Sequence, residues 1–470
     1  MPDAETGFAF IAAARAAIEA GETAAGLGLL LDALRERIDE ADAWYEAAVF
    51  LHEIGDDEDA LILLDRVQVL DPERPGGPFF RGACLRTLGR FDEAAASLDT
   101  LTGRWPDLGE GWHLLGLCLA GAGRFDPAIA ALERAKALGI AGAEDRIWRL
   151  LFQAGRWEEA WTAFEASLPA SDLDARWHLQ YGTRHRLWRG EALAGREMVL
   201  FSHGGHGDTL QFFRFVAPIL AERPRRLVLI VEPSLRRLLE TSPLLVSAGG
   251  CDIDMVDAGI SLPKLAADGY FCWFEGLAGQ YRASPADPPP APPYLSAPKP
   301  VVSEPATADR NTTALRIGLV WRGSPAMPED SWRSIPLDRL EPLFALPGCG
   351  WFALQKAPLT EAEQQILDRN GVADLSQDLG DFAETARIMA RLDLIISIDS
   401  APAHLAGALA RPVWLLNRAT SEWRWGWRQT DSFWYPSMRI FNQARIGDWT
   451  DVITELAANL DRTLTVTARG

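Results

Sequence analysis

Small and apolar positions recur along the front of the chain with a fixed step. Gly21, Gly55, Gly89, Gly123 and Gly155 are separated by 34, 34, 34 and 32 residues. Ala60, Ala94, Ala128 and Ala160 keep the same step, as do Leu64, Leu98, Leu132 and Phe164, and Ala48, Gly82, Gly116 and Trp148. Such a period predicts stacked helical hairpins, each with an apolar face that only its neighbour can cover. The stretch LRTLGRFDEAAASLDTLTGRWP (85–106) shows one unit. Gly89 supplies the positive φ of a helix C-terminus. Gly82 and Ala94 let two helices cross closely, and Pro106 ends the second helix.

After residue 175 the repeat stops and apolar, β-type runs alternate with helical stretches. The runs are MVLFS (198–202), RLVLIVEP (226–233), LRIGLVW (315–321), GWFALQ (350–355), LDLIISIDS (392–400) and PVWLLN (412–417). Continuous apolar strands separated by helices predict a parallel sheet covered on both faces. Proline density across 283–314 forbids helix and favours an extended linker. The expected organisation is α plus α/β: helical repeats over 1–174, a connector over 175–195, one α/β lobe over 196–290, a proline-rich linker over 291–313 and a second lobe over 314–470. Ligands of such sheets bind beyond the C-terminal ends of the strands.

Two strand-to-helix corners carry polar residues. In the first, FSHGGHGDTLQFFRF (201–215), Gly204, Gly205 and Gly207 turn the chain and Asp208 falls near a helix N-terminus. Leu210 stands where a dinucleotide fingerprint needs its third glycine, so that motif is not supported. Asp208 reads either as a helix cap, worth about 1 kcal/mol, or as a general base at the mouth between two lobes. The second corner lies in LDLIISIDSAPAHLAGALARPVWLL (392–416).

Charge and cysteine usage narrow the function. The formal net charge is −19, and no Lys/Arg-rich run is present, which disfavours nucleic acid and anionic membrane surfaces as partners. The acidic start lacks a signal-peptide pattern, and no apolar run is long enough to predict a transmembrane helix. The five cysteines are scattered without a CxxC pair, as expected of buried thiols in the cytoplasm. His203, His206 and Asp208 sit on one glycine-rich turn that suits few metal sites. The Asp-x-Asp of CDIDM (251–255) is read as a strand end, so no metal is expected. No GxSxG, HExxH or P-loop occurs.

The front of the chain, roughly 7–174, resembles the tetratricopeptide repeat at Trp112, Gly116, Leu119, Gly123, Ala128 and Leu132. Such solenoids mostly hold a protein or peptide in a concave groove; the plainer reading is a stabilising spacer. The second corner, with Asp399, Ser400, Ala401, His404 and Leu405, resembles the C-terminal half of the heptosyltransferase-like glycosyltransferases, family nine, of GT-B fold. GHGDTLQ (205–211) resembles the same family's N-terminal Gly-Asp loop, which makes Asp208 the proposed base. LVWRGSP (319–325), RSIPLDRL (333–340), SQDLGDF (376–382) and WRWGWRQTDSFWYPSMRIF (423–441) resemble bacterial proteins that fuse such repeats to such a domain. Some flagellin-modifying transferases share the layout. The first lobe is short for the family.

The resemblance implies an inverting, metal-independent transfer from a nucleotide-sugar to an acceptor, here a protein hydroxyl, with no resident cofactor. Ser400 and Ala401 lie at a helix N-terminus, a natural phosphate site. His404 donates to a phosphate or ribose, or is a buried histidine bonded to backbone. Asp399 caps the helix, bonds a ribose hydroxyl or orients His404. Arg322 and Arg333, with Trp321 beside them, either neutralise phosphate charge or are surface residues. His206, Gln211 and Trp425 are candidate sugar or acceptor contacts, set against the fact that most tryptophans are core. Two other readings stay open: a non-catalytic repeat scaffold with a degenerate transferase domain, and a lipopolysaccharide heptosyltransferase. Homo-oligomerisation is left open as well.

Overall fold

The computed structural model describes residues 9–167, 185–258, 264–266, 269–299, 315–327 and 330–467. Helices fill 9–167: α1 Ala9–Glu19, α2 Thr23–Glu36, α3 Ala41–Glu53, α4 Asp57–Leu70, α5 Gly76–Thr87, α6 Phe91–Arg104, α7 Gly109–Gly121, α8 Phe125–Ala137, α9 Ala143–Gln153 and α10 Trp157–Ser167. Each of the five spaced glycines follows the first helix of a hairpin, with φ between +71° and +85°. An L side chain is strained in that backbone conformation. Within a hairpin the small positions allow close crossing. A Cβ added at Gly82 would lie 2.6 Å from Leu98 Cγ, and one at Gly116 the same distance from Leu132 Cγ.

The chain divides into two compact units after Ala154. The sequence spacing assigns residues up to 174 to the solenoid, but α10 belongs to the second unit. Its Trp161 Nε1 donates to the Ala283 carbonyl at 2.9 Å, and the ring meets Trp423 edge-on at 6.2 Å. Two large buried aromatics, Trp161 and Phe164, tie the helix there. Residues 168–184, with the front of the expected connector, lie outside the described residues.

The second unit holds two parallel sheets. The first contains β1 Arg186–Leu187, β2 Glu197–Phe201, β3 Arg226–Val231, β4 Asp252–Asp257 and β5 Tyr270–Trp273, in the order β1-β5-β2-β3-β4. The second contains β6 Leu315–Val320, β7 Cys349–Ala353, β8 Ala373–Asp374, β9 Leu394–Ile398, β10 Val413–Asn417 and β11 Met438–Asn442, in the order β11-β10-β9-β6-β7-β8. The helices are α11 His206–Phe212, α12 Val216–Ala221, α13 Pro233–Glu240, α14 Pro243–Val246, α15 Phe274–Gln280, α16 Asp330–Arg333, α17 Leu337–Phe344, α18 Glu361–Asn370, α19 Phe382–Met389, α20 Ala401–Ala408 and α21 Thr450–Thr467.

All six apolar runs form strands, and β9 is buried along its whole length. CDIDM opens a full strand, β4, at a sheet edge rather than ending one. The strand order reverses between β2 and β5 in the first sheet and between β6 and β9 in the second. Such reversal points leave a crevice beyond the strand ends. The loops after β2, β5, β6 and β9 therefore define where a ligand site should be.

The front of the proline-rich stretch is not a free spacer. Tyr294 and Leu295 are buried. Tyr294 Oη donates to the Leu210 carbonyl at 2.9 Å, and its backbone N–H donates to the Ala408 carbonyl at 3.2 Å. Residues 300–314 of that stretch lie outside the described residues. Among the described residues, no helix is long and apolar enough to cross a membrane.

Candidate functional site

The corner after β2 opens α11 with Gly205 as the capping residue, φ −76°. Asp208 is the third residue of the helix, and its Oδ2 accepts the Gly205 N–H at 2.7 Å. The three glycines of this corner do not lie in the left-handed region. Close approach explains two of them. A Cβ on Gly204 would run into Asp208 Oδ2, and one on Gly207 would lie 2.8 Å from His404 Cδ2 and 3.6 Å from Ala401 Cα. The N-terminal turns of α11 and α20, one from each sheet, thus pack directly on each other.

The corner after β9 is capped by Ser400, whose hydroxyl donates to the Ile398 carbonyl at 3.3 Å and lies 3.3 Å from Ser397 Oγ. Pro402 contributes no N–H, and the Ala403 N–H goes to the Ser400 carbonyl at 3.0 Å. The amides of Ser400 and Ala401 remain as the donors of this turn. From the loop after β6, Arg333 Nη1 donates to the Asp399 carbonyl at 2.9 Å, and Nε donates to Asp330 at 2.7 Å. The reversal point therefore brings Arg333, Asp399, Ser400 and Ala401 together. Burial, then the Glu422 carboxylate, raise the Asp399 pKa above its ordinary value, against the pull of Arg424 and Arg418.

His404 is 5% exposed. Its Nδ1 shares a 3.0 Å hydrogen bond with the Tyr435 hydroxyl, and its ring stacks on Trp425 at 5.2 Å. Burial first, then Arg424 and Arg214, hold its pKa well below the usual histidine value. The ring is neutral, wedged between the lobes, and bonded to a side chain rather than to backbone.

The centre of the crevice is Arg424, which the sequence marks only as one of two arginines among tryptophans. Its Nη2 pairs with Asp208 Oδ1 and lies 3.5 Å from Glu275; Nη1 lies 3.3 Å from Glu422, and Nε donates to Gln211 at 2.7 Å. The guanidinium sits over the rings of Trp423 at 4.8 Å and Phe212 at 5.6 Å. Burial works against its charge, but Asp208, Glu422, Glu275 and Asp399 outweigh that and push its pKa above the ordinary value. Each carboxylate oxygen of Asp208 has one bonded partner here, and each carries two lone pairs. With the side chain 25% exposed, the carboxylate can still accept a hydroxyl.

Other candidates are turned elsewhere. Trp321 Nε1 and Arg322 Nε both donate to Glu363 at 2.8 Å, so they hold the start of α18 instead of facing the loop after β9. Gln211 is fully buried and Trp425 is 2% exposed; both are interior residues of the lobe contact, not sugar contacts in this conformation. His206 Nε2 bonds Ser234 Oγ at 2.9 Å and the ring packs on Phe382 at 5.1 Å. Glu275 has no sequence signal until β5 is seen to lie beside β2. Arg214 had none either: it is fully buried and donates to the Trp434 carbonyl at 2.7 Å and to Tyr294 Oη at 3.0 Å.

Comparison with known proteins fits this geometry. Tetratricopeptide repeats match residues 11–78 and 85–143. Glycosyltransferase family 9 (heptosyltransferase) matches residues 379–442, which include Asp399, Ser400, His404 and Arg424. Protein FlbA of Caulobacter vibrioides is 25% identical over 330 residues, 66% of this chain and 53% of FlbA. The chain thus spans about half the length of that curated relative. Among solved structures, TTC0263, a thermophilic TPR protein of Thermus thermophilus, is 22% identical, with 37% of this chain and 95% of that one covered, at a TM-score of 0.28. MamA 41-end of Desulfovibrio magneticus RS-1 is 19% identical, with 33% and 90% covered, at 0.30. The chain carries tetratricopeptide repeats followed by a glycosyltransferase family 9 (heptosyltransferase) domain.

Proposed function

We propose that this chain transfers a sugar from a nucleotide-sugar to a hydroxyl of a protein acceptor, with inversion and without a metal. The observation that carries the reading is the meeting of two corners at Gly207 and His404. One corner holds a carboxylate, Asp208. The other presents a helix N-terminus and Arg333. Asp208 takes the acceptor proton as the acceptor oxygen attacks the anomeric carbon. The departing nucleoside phosphate is stabilised by Ser400, the Ala401 amide and Arg333. His404, neutral and stacked, positions α20 against α11. The repeats hold the acceptor polypeptide, flagellin-like proteins being one class, in a cytoplasmic setting.

The test couples binding to transfer. Purified protein is scanned by thermal shift against nucleotide-sugars and free nucleotides. A ligand at a hundredfold excess over its Kd raises stability by about 2.7 kcal/mol. Labelled donor is then followed into protein. The expected result is one donor class that shifts wild type and Asp208→Asn alike, with transfer lost only in the variant. A well-folded sample that no nucleotide shifts would favour the scaffold reading.

A further inference from the structure

We propose that His52, Asp57 and Cys84 bind one divalent transition-metal ion such as zinc. The three come from consecutive helices: His52 near the end of α3, Asp57 at the start of α4 and Cys84 in α5. His52 Nδ1 lies 2.5 Å from Asp57 Oδ1. The three donor atoms lie within 4.8 Å of one another. Nitrogen, oxygen and thiolate sulfur are the donors zinc takes, and tetrahedral ligands stand roughly 3.3–3.6 Å apart. The His52–Asp57 contact would open by about 1 Å to admit an ion.

The repeat register shows that these residues depart from the pattern around them. Two positions after the hairpin glycine, the three later units place Phe91, Phe125 and Trp157 and the first places Thr23; this one places Asp57. Asp57 is 3% exposed, and its carboxylate has His52 and the Cys84 thiol as the partners a buried carboxylate needs. Three positions before the glycine stand Ile18, His52, Arg86, Ala120 and Phe152. The cysteine position recurs as Cys118 one repeat later, where Phe91 occupies the place of Asp57. Among the described residues, a histidine, an aspartate and a cysteine converge at this one repeat junction.

The donor set balances a divalent cation. On binding, the thiol releases its proton to solvent, and the thiolate and carboxylate cancel the two charges of the ion. The neutral imidazole completes three ligands. His52 has the most exposed side chain of the trio, at 26%, so a water enters the fourth position from its side. The ion would join two successive hairpins.

The test uses chelator-treated full-length protein titrated with Co²⁺. The expected result is one equivalent bound, tetrahedral d–d absorption, a thiolate-to-cobalt charge-transfer band and about one proton released per ion. Cys118→Ser keeps the band and Cys84→Ser loses it. His52→Ala, a substitution at a partly exposed side chain, weakens binding by more than the roughly tenfold that losing even an outer partner costs. It also removes the rise in Tm that Zn²⁺ gives wild type. A wild-type chain that shows no charge-transfer band, or a band that survives Cys84→Ser, would overturn the site.

Discussion

Gly207 of α11 lies against His404 of α20, so close that a methyl group on Gly207 would sit 2.8 Å from His404 Cδ2. The contact joins a helix that follows β2 to a helix that follows β9, one from each sheet. Gly207→Ala must therefore separate the two turns or displace a buried ring. Overpacking of this kind costs about 1–3 kcal/mol. Denaturant unfolding should show that loss. The double variant Gly207→Ala/His404→Ala should lose less than the sum of the single variants. Strict additivity would mean that the two residues do not press on each other.

His404 also sets a pH dependence. Its folded pKa is held well below the ordinary value by burial, with Arg424 and Arg214 adding to it. The unfolded imidazole titrates near about 6.5. Below that pH the unfolded chain takes a proton that the folded chain refuses. The stability His404 contributes is complete above about pH 6.5 and falls as the pH drops through it, by at most about 1.4 kcal/mol per unit. Asp399 has a raised pKa, so its contribution is complete at low pH and declines as pH rises through the folded value. It cannot mimic the histidine. Urea unfolding from pH 7 to 5.5 should weaken wild type more steeply than His404→Gln. Parallel slopes would contradict the buried neutral ring.

The fold is legible in the sequence where structure is periodic or local. The hairpin glycines declare themselves because positive φ recurs at a fixed step. The two corners declare themselves because each is a short polar stretch between an apolar strand and a helix. What a side chain faces across the fold is not written locally. Arg424 meets Asp208 and Gln211 from more than 200 positions away, and Glu275 joins them only because β5 pairs with β2. Trp321 and Arg322 lie just after a strand, where a donor contact is expected, yet Glu363 of α18 takes both. The glycines after β2 look like turn formers in the sequence, but Gly207 is small because His404 is there.

Arg424 and Asp208 should separate stability from chemistry. Arg424→Met leaves Asp208, Glu275 and Glu422 without the guanidinium they share. Removing one partner of a buried ion pair costs about 3–5 kcal/mol. Asp208→Asn leaves the arginine with Glu275 and Glu422, so its stability loss should be much smaller. Loss of the proposed general base should nevertheless lower transfer by about 10²–10⁴-fold. Unfolding curves and single-turnover transfer on both variants check this. An Asp208→Asn protein with full transfer would remove the base from the mechanism while leaving the ion pair intact.

Arg214 tests whether the lobe contact depends on shape or only on charge. Its guanidinium is fully buried, and three uncharged acceptors receive it: the Gln211 carbonyl at 2.9 Å, the Trp434 carbonyl at 2.7 Å and Tyr294 Oη at 3.0 Å. The Tyr294 ring at 4.6 Å and the Tyr435 ring at 4.8 Å flank it. A planar fork can serve acceptors in three directions and stack at once; a compact ammonium cannot. Arg214→Lys keeps the charge but strands acceptors, each at about 1–3 kcal/mol. Arg214→Met removes the charge and fills the space. If shape governs, Lys destabilises clearly even though it keeps the charge and some donors, and Tyr294→Phe couples to it by about 0.5–3 kcal/mol in a double-mutant cycle. If Lys instead unfolds like wild type, the positive charge alone holds the first lobe, the Tyr294 strap and the Trp434 loop together.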